Sequence, residues 1–199
     1  MAFTRIAFAL LFLGAPLVLA LKIRQQRRAL GRSPVVLGRS SEGLLARWFE
    51  RLGPFGLLFW PALWLWIALG GAPLSEPPLR SAGLVLVAAG AALTGSSIFL
   101  MGRAWRIGID PENRSELAEG GPYRWIRHPI YSGFLVMFVG NALVVPHPVV
   151  LVGAVLTAAG VVLQALREER HLQRTFGDRY ARYAAATGRF APRLRRGRP

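Results

Sequence analysis

Apolar residues in this 199-residue chain are gathered into blocks rather than spaced at amphipathic intervals. The longest uncharged block, residues 81–101, would measure roughly 31 Å as a helix, enough to cross a hydrocarbon core about 30 Å thick. Similar blocks cover residues 6–21, 54–72 and 148–166, and a shorter one covers residues 130–145. Because one water-soluble core would not need five such blocks in so short a chain, the pattern predicts five transmembrane helices.

The last two blocks are joined by Val145-Pro146-His147-Pro148. Two prolines in four residues cannot continue a helix, so the pattern predicts a tight reversal and a C-terminal helical hairpin. The fold class is therefore an all-α integral membrane bundle. We divide the chain into residues 1–80, with two helices and a basic loop, and residues 81–199, which carry all three histidines and all but three of the ten acidic residues.

The net charge of +15 comes almost wholly from arginine, and its distribution indicates the topology. Only Arg5 and Arg80 fall in the segments assigned to one side of the membrane, and the other 23 of the 25 basic residues fall on the opposite side. By the positive-inside rule, we expect the N-terminus outside and the C-terminus, with the polar segments that could carry chemistry, in the cytoplasm. The location that we expect is a bacterial inner membrane. The partner is therefore the lipid bilayer, and no specific nucleic-acid partner is expected. Lys22 and the cluster at residues 24–28 predict that the first helix is retained rather than cleaved.

Several kinds of chemistry are excluded by what the chain lacks. It contains no cysteine, which rules out disulfides, thiolate metal sites and cysteine nucleophiles. Three histidines far apart in sequence give no metal-ligand spacing, so no metal is expected. No glycine-rich nucleotide fingerprint follows a strand, so no Rossmann site is expected.

The most informative segment covers residues 121–133 and reads Gly-Pro-Tyr-Arg-Trp-Ile-Arg-His-Pro-Ile-Tyr-Ser-Gly. A helix is predicted to start at His128-Pro129, where free backbone amides favour an anion. The hairpin must bring Glu168 close to His128, so an acid, a base and Arg127 converge on one pocket, and we expect these three residues to carry the chemistry. A zwitterion fits this pocket, with its carboxylate at the helix start or at the histidine and its ammonium at glutamate. An interfacial belt of aromatic and basic residues is the alternative.

These residues resemble the isoprenylcysteine carboxyl methyltransferase family of membrane enzymes, which includes relatives acting on phospholipid amines. The resemblance covers residues 101–192. It rests on Gly-Pro-Tyr-Arg-x-x-Arg-His-Pro-x-Tyr-x-Gly at 121–133, on the acidic pair Glu168-Glu169, and on Phe-Gly-x-x-Tyr-x-x-Tyr at 176–183. The segment 189–192 is similar to the end of the family's conserved region.

The resemblance implies that S-adenosylmethionine is the cofactor, bound at the cytoplasmic face. It implies that Glu168 holds the methionine portion and that a short stretch upstream supplies backbone contacts. The implied cofactor-binding residues are Ser115, Glu116, Leu117, Ala118, Tyr123, His128, Pro129, Ile130, Tyr131 and Glu168.

One position departs from the family. The eukaryotic carboxyl methyltransferases place a substrate-binding arginine one turn before the residue that matches Glu168, and Gln164 stands there in this chain. The nearest arginine is Arg167, so Gln164 and Arg167 are the candidate substrate residues, and a farnesylated cysteine carboxylate is not favoured as the acceptor.

We therefore predict an S-adenosylmethionine-dependent integral membrane methyltransferase that acts on a lipophilic or membrane-embedded acceptor. Two alternatives stay open: an NAD(P)H-dependent membrane reductase similar to the sterol reductases, and a non-catalytic membrane protein that retains the fold.

Overall fold

A computed structural model of the protein describes residues 2–31, 33–36, 58–107 and 117–193, and these ranges are almost entirely helical. Two 3₁₀ turns, Gly102–Ala104 and Gly121–Arg124, lie between the α-helices, and extended pairing within the described ranges is limited to two isolated bridges. The all-α prediction is confirmed. The helices are α1 (Ala2–Leu30), α2 (Leu58–Ala68), α3 (Pro77–Leu100), α4 (Pro129–Val144), α5 (Pro148–Phe176) and α6 (Asp178–Ala186).

Each of the five predicted apolar blocks contains a helix, although in the described part of the block at 54–72 the helix ends at Ala68 and residues 69–72 are not helical. Helices α1, α3 and α5 are long and apolar enough to cross a membrane, whereas α2 and α4 are apolar but shorter. Large apolar side chains point outward along α1 and α5: Leu10 is 65% exposed and Leu156 is 67% exposed. Such surfaces suit hydrocarbon, and the protein is an integral membrane helical bundle.

Helices α3 and α4 pack closely because glycines face each other. A Cβ atom added at Gly90 would lie 2.5 Å from the carbonyl oxygen of Gly133, and one at Gly83 would lie 2.7 Å from that of Gly140. Small residues at such positions let two helix backbones approach, as in other membrane bundles.

Helices α4 and α5 form the predicted hairpin. The prolines that begin them, Pro129 and Pro148, have no N–H to lose at a helix start. His147 caps α5, since its Nδ1 accepts a hydrogen bond of 3.3 Å from the Val149 backbone N–H. This histidine therefore has a structural role in the turn between α4 and α5.

The start of α2 packs against both helices of the hairpin. The Trp60 ring stacks on Phe138 of α4 at 4.8 Å between centroids, and a Cβ added at Gly153 of α5 would lie 2.5 Å from the Phe59 ring. Phe8 of α1 belongs to the same buried core. Residues before 81 thus share one core with the C-terminal helices, and α3 itself begins at Pro77.

One end of the bundle gathers the end of α1, the end of α3, the start of α4 and the end of α5, and we call it the basic end. The Gln26 side chain of α1 donates to the Trp105 carbonyl just after α3, at 3.3 Å. Helix α5 continues ten residues beyond the predicted apolar block, to Phe176. Gly177, with φ of +50°, then turns the chain into α6.

Candidate functional site

The segment 121–128 is held against the end of α3. Gly121 opens its 3₁₀ turn at φ of +56°, a conformation that suits glycine. Two residues later Tyr123 is buried, and its hydroxyl donates to the Ser97 carbonyl of α3 at 3.4 Å. The Tyr123 carbonyl in turn accepts a hydrogen bond from the Tyr183 hydroxyl of α6 at 2.8 Å.

A segment after α6 fastens onto the start of α4 through backbone hydrogen bonds. The N–H of Arg127 donates to the Gly188 carbonyl at 2.8 Å, and that of His128 donates to the Arg189 carbonyl at 3.1 Å. One turn into α4, the Ser132 hydroxyl donates to the Phe190 carbonyl at 2.7 Å. Because the segment 188–190 covers this helix start, the His128 side chain is only 6% exposed.

Glu169 is surrounded by basic side chains. Arg127 Nε lies 2.9 Å and His128 Nε2 lies 3.3 Å from its Oε1, while Arg189 Nη2 lies 2.7 Å from its Oε2. Arg127 also donates to the carbonyl oxygens of Ala184 and Thr187, at 2.7 and 2.6 Å. This carboxylate therefore ties α5 to the start of α4 and to the segment after α6.

Glu168 has neutral partners instead. Its Oε1 accepts hydrogen bonds from the Tyr131 hydroxyl at 2.5 Å and from Gln164 Nε2 at 3.0 Å. Its Oε2 lies 3.6 Å from His128 Nδ1, and the Glu168 side chain is 27% exposed. The Oε1 of Gln164 accepts from Arg167 at 3.3 Å, so the two candidate substrate residues join this network. Glu168 is the more accessible carboxylate of the pair, and its Oε2 can still accept a hydrogen bond from a bound cation.

The His128 ring is fixed from several directions. Its two nitrogens face different carboxylates, one from Glu168 and one from Glu169. The ring also stacks on Tyr131 at 5.5 Å between centroids and lies 6.0 Å from the Phe190 ring. Because of these contacts, the His128 ring has one fixed orientation toward a molecule bound at the site.

Two tyrosines of α6 border the site and remain protonated at neutral pH. Burial raises the pKa of Tyr183 to about 12 and moves the pKa of Tyr180 well above its usual range. The Tyr180 hydroxyl is buried and has no hydrogen-bond partner within the described part of the chain. It is therefore a donor that a bound polar molecule can use.

The structure brings together seven of the residues that the sequence singles out: Tyr123, Arg127, His128, Tyr131, Gln164, Arg167 and Glu168. Pro129 is buried and Ile130 half-buried, both in the first turn of α4. Leu117 is buried and Ala118 half-buried in the irregular segment before Gly121, while Ser115 and Glu116 lie outside the described residues. No group of three or more His, Asp or Glu residues in the described ranges is arranged to hold a metal.

Sequence reasoning missed the contacts of Glu169, Arg189 and Ser132. Glu169 was visible only as the neighbour of Glu168, and Arg189 only as part of the segment 189–192. Both carry charges whose partners lie in other segments, 42 residues away for Arg127 and Glu169 and 20 residues away for Arg189 and Glu169. Such pairings leave no local pattern.

The known proteins that this chain resembles are all named as methyltransferases. A family model described as "Phospholipid methyltransferase" matches residues 79–179, just over half of the chain. The chain is 32% identical over 105 residues to "Protein-S-isoprenylcysteine O-methyltransferase B" of Arabidopsis thaliana, covering 51% of this chain and 53% of that relative. It is 38% identical over 72 residues to "Methanethiol S-methyltransferase" of Mycobacterium tuberculosis, covering 35% of this chain and 28% of that relative.

Among solved structures, the eukaryotic intramembrane Ras methyltransferase (isoprenylcysteine carboxyl methyltransferase) has a similar fold. The TM-score is 0.52 at 22% sequence identity, over 76% of this chain and 54% of that one. The chain spans about half the length of the plant relatives that it matches.

Proposed function

The chain belongs to the phospholipid methyltransferase family, and on that premise we propose that it transfers the methyl group of S-adenosylmethionine to a lipophilic acceptor. The reaction would take place at the basic end of the bundle, which we place in the cytoplasm. The observation that carries the proposal is the meeting of His128, Tyr131 and Glu168 at the start of α4, within one network of hydrogen bonds and ring contacts.

The residues present fit the cofactor. The partly exposed Glu168 carboxylate suits the ammonium of a methionine portion. The first-turn amides of Ile130 and Tyr131 have no acceptor within an α-helix, and they suit a carboxylate. The buried Tyr180 hydroxyl offers one further donor. Bound here, the cofactor would supply an electrophilic methyl group on a positively charged sulfur.

The protein's own contribution is mainly alignment. Tyr131 and Gln164 fix the Glu168 carboxylate, and the two carboxylates fix the His128 ring. Holding two reactants in one geometry can supply much of the rate of a displacement. An acceptor that is already anionic, such as a carboxylate, needs no base, whereas for an amine or a phenol His128 is the nearest candidate to take a proton.

A row of aromatic rings supports a lipophilic acceptor. From His128 and Tyr131 it continues along α4, with 6.5 Å between the ring centroids of Tyr131 and Phe134 and 6.4 Å between those of Phe134 and Phe138. Trp60 of α2 stacks on the last ring. The row leads from the polar site into the apolar core, so the reacting group would lie beside His128 and an apolar tail along the rings.

Gln164 stands where the eukaryotic carboxyl methyltransferases place a substrate-binding arginine, so we do not favour a farnesylated cysteine carboxylate as the acceptor. The Gln164 amide donates a hydrogen bond to Glu168 and accepts one from Arg167. Arg167 therefore supplies the positive charge on this turn of α5. The similar plant and bacterial proteins bear the names of isoprenylcysteine and methanethiol methyltransferases. We propose that Gln164 and Arg167 contact the acceptor, and that residues 81–199 form the methyltransferase core.

The test is cofactor binding and turnover by the full chain in detergent. We expect Glu168→Gln to weaken S-adenosylmethionine binding by about tenfold or more, because a charge-assisted hydrogen bond is lost, and His128→Ala to abolish methyl transfer. Isothermal titration calorimetry measures the first, and transfer of labelled methyl to lipid, prenyl-thiol and small apolar acceptors measures the second.

Glu76→Gln is the matched control, since it removes one carboxylate at the opposite end of α3 and should leave both properties unchanged. Wild-type cofactor affinity in both site variants would overturn the assignment. A parallel titration with NADPH separates the reductase alternative: saturable NADPH binding without S-adenosylmethionine binding would favour it. Binding of neither would favour a non-catalytic protein.

A further inference from the structure

A second polar site lies at the basic end, where α1 ends beside α3. Lys22 is 3% exposed, and its Nζ lies 5.3 Å from the centroid of the Phe99 ring. None of the ion pairs seen between described residues includes this ammonium. An aromatic face attracts a cation, but a charge buried among apolar groups is stabilised far more by an opposite charge.

The position of Lys22 is fixed by the next turn of α1. Gln26, which is 2% exposed, donates from its amide to the carbonyl oxygens of Gly102 and Trp105, at 2.5 and 3.3 Å. These bonds join α1 to the turn that follows α3. Lys22 therefore lies in a formed crevice between two helices rather than on a free surface.

The surroundings combine positive charge with exposed apolar groups. Arg24, Arg27 and Arg28 are exposed on the last two turns of α1, and their field attracts anions to this level of the membrane. The neighbouring Leu21 and Phe99 are 53% and 51% exposed on membrane-length helices. A ligand that fits has a negative headgroup and a hydrocarbon tail.

We propose that Lys22 binds the phosphate of an anionic phospholipid, whose acyl chains lie along Leu21 and Phe99. Basic crevices between membrane helices recognise such headgroups through charge and hydrogen bonding. The apolar rim selects a lipid over a free phosphate ion. The site is separate from the Glu168 network and does not depend on the proposed reaction.

The test measures lipid binding to the full chain in detergent by native mass spectrometry. Phosphatidylglycerol, phosphatidylcholine and inorganic phosphate are the three probes. We expect wild type to prefer phosphatidylglycerol, Lys22→Met to lose that preference by about fivefold or more, and Lys22→Arg to retain it. Arg182→Gln, which removes an exposed charge from α6 instead of α1, should bind as wild type does.

Several results would overturn the proposal. Equal binding of phosphatidylglycerol and phosphatidylcholine by wild type would overturn it. This comparison needs no variant, so it tests the proposal even if Lys22→Met fails to fold. An undiminished preference in Lys22→Met would also overturn it. Inorganic phosphate that displaces phosphatidylglycerol at equal concentration would show a free-anion site instead of a lipid site.

Discussion

Glu168 and Glu169 are adjacent in the chain but have different surroundings. Three basic side chains contact Glu169, which is 14% exposed, whereas Glu168 is bonded by a phenol and an amide and is 27% exposed. Removing either carboxylate should therefore have different consequences. Loss of Glu168 should affect binding, and loss of Glu169 should affect the fold around the site.

We expect Glu169→Gln to lower the free energy of unfolding by about 3 kcal/mol, because Arg127 and Arg189 would lose their buried anion. Thermal unfolding in detergent measures the change. Glu119→Gln is the control, since its pair with Arg179 is about half exposed and should contribute less than about 1 kcal/mol. Equal losses in the two variants would contradict the structural role of Glu169.

At the scale of the helices, the contact between α3 and α4 depends on glycine at particular positions. Gly90→Ala should destabilise the protein by about 1–3 kcal/mol, since the new methyl would meet the Gly133 carbonyl. Gly95 lies in the same helix with nothing within 4 Å of an added Cβ, so Gly95→Ala should be neutral or slightly stabilising. Comparing the two unfolding midpoints in detergent checks the prediction. A stable Gly90→Ala protein would show that the helices can separate without cost.

The helices themselves were largely predictable, because a membrane requires long uncharged segments and these are visible in the sequence. The predicted blocks at 81–101, 130–145 and 148–166 correspond to α3, α4 and the apolar part of α5. The polar extension of α5 beyond Leu166 was not predicted, since the apolar pattern stops there while the helix continues to Phe176.

The site was predictable only in part. The hairpin required His128 and Glu168 to be neighbours, and the structure places them 3.6 Å apart. The backbone pairing of residues 126–128 with residues 188–189 could not be predicted, because single bridges between distant segments have no periodicity. The partners of Glu169 depend on that pairing, so they were missed with it.

At the scale of the whole molecule, the polar chemistry is gathered at one end of an apolar bundle. The network around Glu168, the cations around Glu169 and the Lys22 crevice all lie at the basic end. The opposite end carries the His147 turn and Glu76. Because of this asymmetry, the orientation in the membrane decides which compartment would supply the cofactor that we propose.

The absence of cysteine from the sequence allows a direct test of orientation. We expect Glu76→Cys to react with a membrane-impermeant maleimide in intact cells, because positive residues favour the cytoplasmic side and Glu76 lies at the other end. Arg179→Cys, at an exposed position of α6 near the site, should react only after the membrane is opened. The reverse labelling pattern would place the site outside the cell.

The segment 187–190 has a consequence for how the protein is made. Its carbonyl groups hold the start of α4, and Arg189 supplies one of the cations of Glu169. The ribosome synthesises this segment after all five apolar helices, so those helices can enter the bilayer before the site can close. We therefore expect a chain that ends before residue 187 to insert into the membrane but to lack the completed site, because the site can form only after this segment has been made.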